Sequence, residues 1–298
     1  MKSQIPTKNA DSFKLPVLGL GTWQMGGRYD ADTSRDREEI DFIGQAFEAG
    51  IRHFDTAEVY AAGHAEELLG QGLKKLPREQ LFVTSKVSDN HLKSDQVISA
   101  CRASLKRLGL DYLDLYLVHA PSAHGIPLVE TLKAMASLYE SGFIKNLGVS
   151  NFKANLLAEA QAASKYKIVN NQIHFSVGAR GYEEDGTLAY CAEHGILVTA
   201  YRPVGLGSPK RSRGSFGEDG WNMLSEIAGR YQKTAVQIAL NWIVSQVNTV
   251  ALVRTANVDH LKENLGSLDF QLSTEDLIFL QDKFPRIATM YPTPSQRA

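Results

Sequence analysis

Short apolar runs alternate with longer amphipathic stretches along almost the whole chain. The runs are VLGLG (17–21), IRHF (51–54), LFVTS (81–85), LDLYLV (113–118), IKNLGV (144–149), IVNNQI (168–173), ILVTA (196–200) and TVALV (249–253). Their length and β-branched content predict buried strands. Between them, segments such as REEIDFIGQAFEAG (37–50), SDQVISACRASLKRLGL (94–110) and LVETLKAMASLYESG (128–142) place apolar residues at helical spacing. Gly50, Gly109, Gly142 and Gly195 fall where such helices should stop, because a helix C-terminus favours a left-handed residue. Ser94 is placed to cap the second of the quoted helices, with no reciprocal capping box because Val97 stands three positions on.

Strands separated by helices predict parallel β/α construction. Eight units at roughly 30-residue spacing fit an α/β fold of the closed (β/α)8 TIM-barrel type. No GxGxxG follows the first strand, so a doubly wound dinucleotide fold lacks its fingerprint. Two pieces lie outside the repeat. Residues 1–16 form an N-terminal extension with a hairpin expected around Asp11–Lys14, and residues 273–298 an extra C-terminal helix, STEDLIFLQDKF, followed by a Pro-containing tail. No linker or compositional break divides the chain, which reads as one domain over 1–298.

Composition narrows the function classes. Of 298 residues, 43% are hydrophobic and 22% charged, as in an ordinary globular core. A net charge of -1 gives no reason to expect nucleic acid or an anionic membrane as partner. No window approaches the ~18 apolar residues that span a bilayer, and MKSQIPTKNADSF lacks the apolar core of a signal peptide. Cys101 and Cys191 stand alone in helical patterns, which points to a reducing, cytoplasmic setting. No extra apolar stripe argues for an oligomer, so a monomer is expected.

The candidate chemistry sits at strand ends. Asp55 lies where the second run ends, Tyr60 in the loop after it, Lys86 at the end of LFVTSK and His119 at the end of YLDLYLVH. On one rim of a barrel, these four side chains can converge. Each alone has a plainer reading: a surface tyrosine, a snorkelling lysine, a hydrogen-bonded histidine, a turn-capping aspartate. Together they form a proton-transfer set. A tyrosine with its ordinary pKa near ~10 is a poor acid at neutrality, and a nearby ammonium lowers that value. A carboxylate fixes the lysine, and a neutral histidine orients a carbonyl oxygen. No side chain donates hydride, so a redox cofactor is required; no Cys/His cluster suggests a metal.

Cofactor signals come from the second half. Ser150 and Asn151 follow strand five and Gln172 ends strand six, where amides can bind a carboxamide in both directions; a simple helix cap is the alternative for Ser150 and Asn151. Tyr201 follows strand seven with a flat face for stacking. Arg254, Thr255 and Asn257 open a helix after strand eight, a natural phosphate site. The loop RPVGLGSPKRSRGSFGEDG (202–220), with Lys210, Arg211 and Arg213, is either a binding lid or a solvated basic loop.

These residues resemble the aldo-keto reductase superfamily over nearly the whole chain. GLGTWQMGG (19–27), GIRHFDTAEVY (50–60), LGLDYLDLYLVHAP (108–121), GVSNF (148–152) and TANVDHLKENL (255–265) look like its motifs in its order. The resemblance implies a (β/α)8 barrel that binds an extended nicotinamide dinucleotide, usually NADPH, and reduces aldehydes or ketones reversibly. Tyr60 would be the general acid, tuned by Lys86 and Asp55, with His119 orienting the carbonyl; Trp23 and Ala120 would line the substrate pocket. Ser150, Asn151 and Gln172 would hold the carboxamide, Tyr201 would stack on the nicotinamide, and Gly21, Thr22 and Asp55 would lie beside its ribose. Pro203, Gly205, Leu206 and Gly207 belong to the segment expected to wrap the pyrophosphate. Arg254, Thr255, Asn257 and His260 would meet the adenosine ribose and its 2′-phosphate, with Glu263 and Asn264 at the adenine.

Departures from the family pattern matter. Arg254 stands where many members have Lys or Gly after an Ile-Pro pair, and His260 where many have a phosphate-gripping Arg. These leave NADPH favoured, with NADH use open. Arg202 is read as a salt-bridged structural residue or as a contact for an anionic group. Two rival readings are a cofactor-binding, redox-sensing partner subunit with little turnover and a barrel aldolase using Lys86 as a Schiff-base amine.

Overall fold

The computed structural model describes residues 5–205 and 216–286. Eight parallel strands close into a barrel: β3 (Leu18–Gly21), β4 (His53–Asp55), β5 (Phe82–Val87), β6 (Leu115–Val118), β7 (Leu147–Ser150), β8 (Ile168–His174), β9 (Leu197–Tyr201) and β10 (Thr249–Val253). They run in sequence order, and β10 pairs with β3 to shut the ring. Each of the eight apolar runs carries one of these strands. The last run matches its strand at both ends, and the other ends differ by at most three residues, where ladder partners rather than hydrophobicity set them. In the fourth and fifth runs, Leu113 and Ile144 remain as an isolated bridge outside the strands.

The predicted N-terminal hairpin is present, as β1 (Thr7–Ala10) and β2 (Phe13–Pro16), antiparallel with Ala10 opposite Phe13. Asp11 takes the tight turn with a φ of 51°. Ala10, Phe13 and Leu15 are buried against Leu115, Leu117, Leu197 and Val250 of the barrel strands. This apolar plug covers the N-terminal end of the barrel, so the C-terminal strand ends are left to form a mouth, as barrel enzymes use it.

The outer layer comprises α1 (Asp36–Glu48), α2 (His64–Leu73), α3 (Ser94–Leu108), α4 (Leu128–Glu140), α5 (Ala154–Ala163), α6 (Gly181–Glu184), α7 (Thr187–Glu193), α8 (Gly217–Tyr231), α9 (Ala235–Ser245), α10 (Val258–Leu265) and α11 (Thr274–Lys283). In α3, Val97, Ala100, Cys101, Ser104, Leu105 and Leu108 are buried, one stripe at three- and four-residue spacing that faces the barrel. Gly50, Gly109, Gly142 and Gly195 all have positive φ, as their stop positions predicted. The start of α3 differs from expectation. Lys93 is the capping position, and its N–H donates to the Gln96 side chain at 3.4 Å. The Ser94 N–H is taken instead by Glu130 of α4 at 3.0 Å. Ser94 is thus the first residue of the helix rather than its cap, and its own N–H is satisfied by a neighbouring helix.

The extra C-terminal helix forms as read. Ser273 Oγ accepts from the Asp276 N–H at 3.1 Å, satisfying one of the unpaired amides of the first turn. Asp276 then ties α11 to α8 through Arg230 at 2.6 Å and the Tyr231 hydroxyl at 2.6 Å. The tail from residue 287 onward lies outside the described residues. Among the described residues, no helix is long and apolar enough to cross a membrane.

Candidate active site

Asp55 ends β4, Lys86 lies one residue before the end of β5, and His119 follows β6; the three strands are consecutive neighbours in the barrel. Closure therefore brings the three strand ends to one rim, and Tyr60 enters from the loop after β4. Lys86 Nζ donates to Asp55 Oδ1 at 2.5 Å, to the Thr56 carbonyl at 2.7 Å and to the Tyr60 hydroxyl at 3.4 Å. Three acceptors match the three protons of an ammonium. Burial works against that charge, but Asp55 and Tyr60 outweigh it and hold the Lys86 pKa above the usual lysine range. Burial raises the Asp55 carboxyl, opposed by Lys86 and by hydrogen bonds from Lys86 and Gln172. Lys86 and Asp55 are almost wholly removed from solvent, whereas Tyr60 and His119 are half-buried and reach the opening.

Aromatic edges fix the acid's position. The Tyr60 ring meets Trp23 at 5.0 Å and His119 at 5.8 Å between centroids, both edge-on, a favoured arrangement of aromatic quadrupoles. Ala120 is buried beside His119. The turn after Tyr60 is unusual: Ala61 (φ 49°), Ala62 (φ 54°) and Gly63 (φ 95°) are successively left-handed. Each non-glycine residue there costs roughly 1–2 kcal/mol, so packing must hold the turn. Nothing in the residue types of the two alanines signals this turn.

The predicted carboxamide group also assembles, with its side chains joined to one another. Ser150 Oγ donates to the Gln172 carbonyl at 2.8 Å, and Asn151 Nδ2 to the His119 carbonyl at 3.0 Å. The Tyr201 hydroxyl donates to Asn151 Oδ1 at 2.9 Å. Gln172 reaches further than expected: its Nε2 donates to Asp55 Oδ2 at 2.7 Å, joining the cofactor-side group to the proton-transfer set. Tyr201 stacks on His174 at 5.6 Å with planes 13° apart. His174 was missed in the sequence, although its place two residues after Gln172 on one strand puts both on the same face. Burial, reinforced by the Arg202 charge, lowers the His174 pKa to about 4. Thr56, whose carbonyl holds Lys86, was likewise not singled out. Gly21 and Thr22 are buried at the end of β3.

The residues expected at the adenosine end make local hydrogen bonds of their own. Arg254 donates from Nε to the Trp23 carbonyl at 3.0 Å and from Nη2 to the Gln24 carbonyl at 3.4 Å, fastening the β3 loop. Asn257 is the N-cap of α10, its Oδ1 accepting from the Asp259 and His260 N–H groups at 2.8 and 3.1 Å. Thr255 Oγ1 accepts from the Asn257 N–H at 3.0 Å. Both polar side chains thus brace the helix start. His260 is exposed, Glu263 half-buried and Asn264 buried. Pro203 is buried and Gly205 half-buried, while Leu206, Gly207, Lys210, Arg211 and Arg213 lie outside the described residues. Of the two readings of Arg202, the salt bridge is not formed among the described residues, where no carboxylate lies within ion-pair distance of it.

Known proteins resemble this chain in sequence and fold. Residues 17–282 match the profile of the Aldo/keto reductase family. Over 272 residues the chain is 35% identical to methylglyoxal reductase YeaE of Escherichia coli (strain K12), covering 91% of this chain and 92% of that one. A solved thermostable aldo-keto reductase in complex with the inhibitor epalrestat is 40% identical with a TM-score of 0.87, over 93% of this chain and 98% of that one. An aldo/keto reductase from Klebsiella pneumoniae in complex with NADP and acetate is 31% identical with a TM-score of 0.81, over 96% and 97%. With the closed barrel and the Asp55–Lys86–Tyr60–His119 rim, these similarities establish that the chain belongs to the aldo/keto reductase family and is an NAD(P)H-dependent oxidoreductase.

Proposed function

We propose that this enzyme reduces small aldehydes or ketones to alcohols, reversibly, with NADPH as the favoured donor and Tyr60 as general acid. The observation that carries the reading is the Lys86 ammonium, held by Asp55 and the Thr56 carbonyl and touching the Tyr60 hydroxyl. The similarity to a methylglyoxal reductase supports small carbonyl substrates, and the NADP bound by the Klebsiella relative supports the cofactor.

The strand-end residues fit such a cofactor. Thr22 Oγ1 is buried with no hydrogen-bond partner among the described residues, at the position matched to the nicotinamide ribose. Ser150, Asn151 and Gln172 offer donors and acceptors in one patch, the chemistry a carboxamide requires. When bound, the reduced nicotinamide supplies the hydride. The chain supplies the rest. His119 orients the carbonyl oxygen against Tyr60, and Tyr60 gives its proton to that oxygen as negative charge develops there. Lys86 stabilises the resulting tyrosinate, and Asp55 keeps Lys86 charged and in place. Trp23 and Ala120 wall the substrate side. We place Arg254, with Thr255, Asn257 and His260, at the adenosine phosphate end, and Glu263 and Asn264 at the adenine. We further propose a monomer acting in the cytoplasm, a setting that suits the free, buried Cys101 and Cys191, whose thiols burial pushes up to about 12.

Tyr60→Phe tests the assignment. Turnover should fall by at least roughly a hundredfold, while quenching of tryptophan fluorescence by NADPH persists. Near-normal carbonyl reduction by Tyr60→Phe would overturn the reading.

A further inference from the structure

The left-handed turn after Tyr60 leads into α2, which carries a carboxylate that the chemistry above does not use. Glu66 has no exposed surface. Its Oε1 accepts from Ser85 Oγ at 2.5 Å and its Oε2 from Arg107 Nε of α3 at 2.7 Å. Ser85 is also fully buried and immediately precedes Lys86 on β5. Successive strand side chains point to opposite faces. Lys86 therefore enters the mouth while Ser85 faces the helices.

Before Tyr60, the loop is already stitched to the same strand. The Thr56 N–H donates to the Thr84 carbonyl at 2.9 Å and the Glu58 N–H to the Lys86 carbonyl at 3.4 Å. The Ser88 N–H, just past the strand, donates to Glu58 Oε1 at 2.6 Å. Tyr60 is thus bracketed by ties to β5, through the loop before it and through Glu66 after it. Between Tyr60 and Glu66 lies the left-handed run of Ala61, Ala62 and Gly63, a conformation that persists only where its surroundings enforce it. Arg107 packs over that run: a Cβ on Gly63 would come within 2.9 Å of its Cδ.

We propose that Glu66, acting through Ser85, is a positioning residue that sets the separation of Tyr60 from Lys86. The proposal rests on Tyr60 being the general acid. Among the described residues, the groups facing the Tyr60 side chain include Lys86 from β5, with Asp55 of β4 behind it, His119 at the end of β6 and the Trp23 ring from the β3 loop. Cutting the strut lets the turn relax, lengthens the Tyr60–Lys86 contact and weakens the ammonium's support of tyrosinate.

The test compares full-length Ser85→Ala, Ser85→Thr, Glu66→Gln and Tyr60→Phe by kcat for NADPH-dependent carbonyl reduction across pH, KM for NADPH, and thermal unfolding. Ser85→Ala should lower kcat roughly tenfold, a part of the roughly 10²–10⁴-fold that a positioned acid contributes. It should also move the alkaline pH at which reduction declines upward and leave KM for NADPH unchanged. Ser85→Thr keeps the hydroxyl donor and should restore both kcat and the pH profile. Glu66→Gln keeps an acceptor for Ser85 but loses the charge toward Arg107, and should fall between. A Ser85→Ala enzyme with a lower unfolding temperature but normal kcat and pH profile would overturn the strut. Near-normal turnover in Tyr60→Phe would instead overturn the assignment of the acid, whatever Ser85→Ala does.

Discussion

Gln172 Nε2 donates to Asp55 Oδ2 at 2.7 Å, so the carboxylate that anchors Lys86 with one oxygen is itself anchored by the other. A residue matched to the cofactor carboxamide is therefore also a support of the proton-transfer set. Gln172→Leu keeps the volume but removes the donor. We expect a loss of about 2 kcal/mol in urea unfolding, the scale of a hydrogen bond to a charged group. We also expect kcat to fall roughly tenfold along with weaker NADPH binding. Weaker cofactor binding at unchanged stability and kcat would show that Asp55 does not need this partner.

The Lys86–Asp55 pair lies almost wholly out of water, so removing one partner leaves the other charge uncompensated. Lys86→Met should destabilise the fold by about 3–5 kcal/mol as well as abolish activity. The double variant Asp55→Asn/Lys86→Met should recover much of the stability but none of the turnover. Urea unfolding of both variants checks this. A single variant as stable as the parent would mean that Asp55 is held by Gln172 alone.

Stability should fall as the solution is acidified from neutrality. Burial lowers the His53 pKa to about 3 and the His174 pKa to about 4, both from an unfolded value near 6.5. Between the folded and unfolded values the unfolded chain binds the extra proton, so stability is fully present above pH ~6.5 and is lost on descent. Each histidine contributes about 1.4 kcal/mol per pH unit in its window. Asp55 and Asp114, whose carboxyls burial raises, act in the opposite direction at the acid end. His53→Gln should therefore flatten the dependence between pH 6 and 4 by one histidine's share, read as urea midpoints across pH. An unchanged slope would mean that His53 is protonated in the folded protein.

Arg254 is fastened to the Trp23 and Gln24 carbonyls, so its replacement should disturb the loop that carries Trp23 as well as the 2′-phosphate contact proposed above. Arg254→Ala should raise KM for NADPH roughly tenfold or more, the value of a charge-assisted hydrogen bond, with a smaller rise for NADH. Equal effects on the two cofactors would assign Arg254 to the loop alone.

Much of this protein was legible in its sequence. Eight apolar runs gave eight barrel strands, four glycines gave four left-handed stops, and Asp55, Lys86 and His119 lay at neighbouring strand ends. These features depend on local periodicity and on the alternation of strand and helix, which neighbouring residues along the chain determine. The hydrogen bond from Gln172 to Asp55 spans 117 residues, and the Glu66–Ser85 strut, the stacking of His174 on Tyr201 and the capture of Arg254 by two carbonyls likewise join separate units. The left-handed alanines after Tyr60 run against their own propensity and are held by packing around α2 and α3. The third helix starts one residue earlier than its cap signal suggests, with Lys93 as the cap and the Ser94 N–H taken by Glu130 of another helix. Sequence periodicity determined which residues reach the rim; barrel closure, which sets distances between segments remote in the chain, decided what each one touches there.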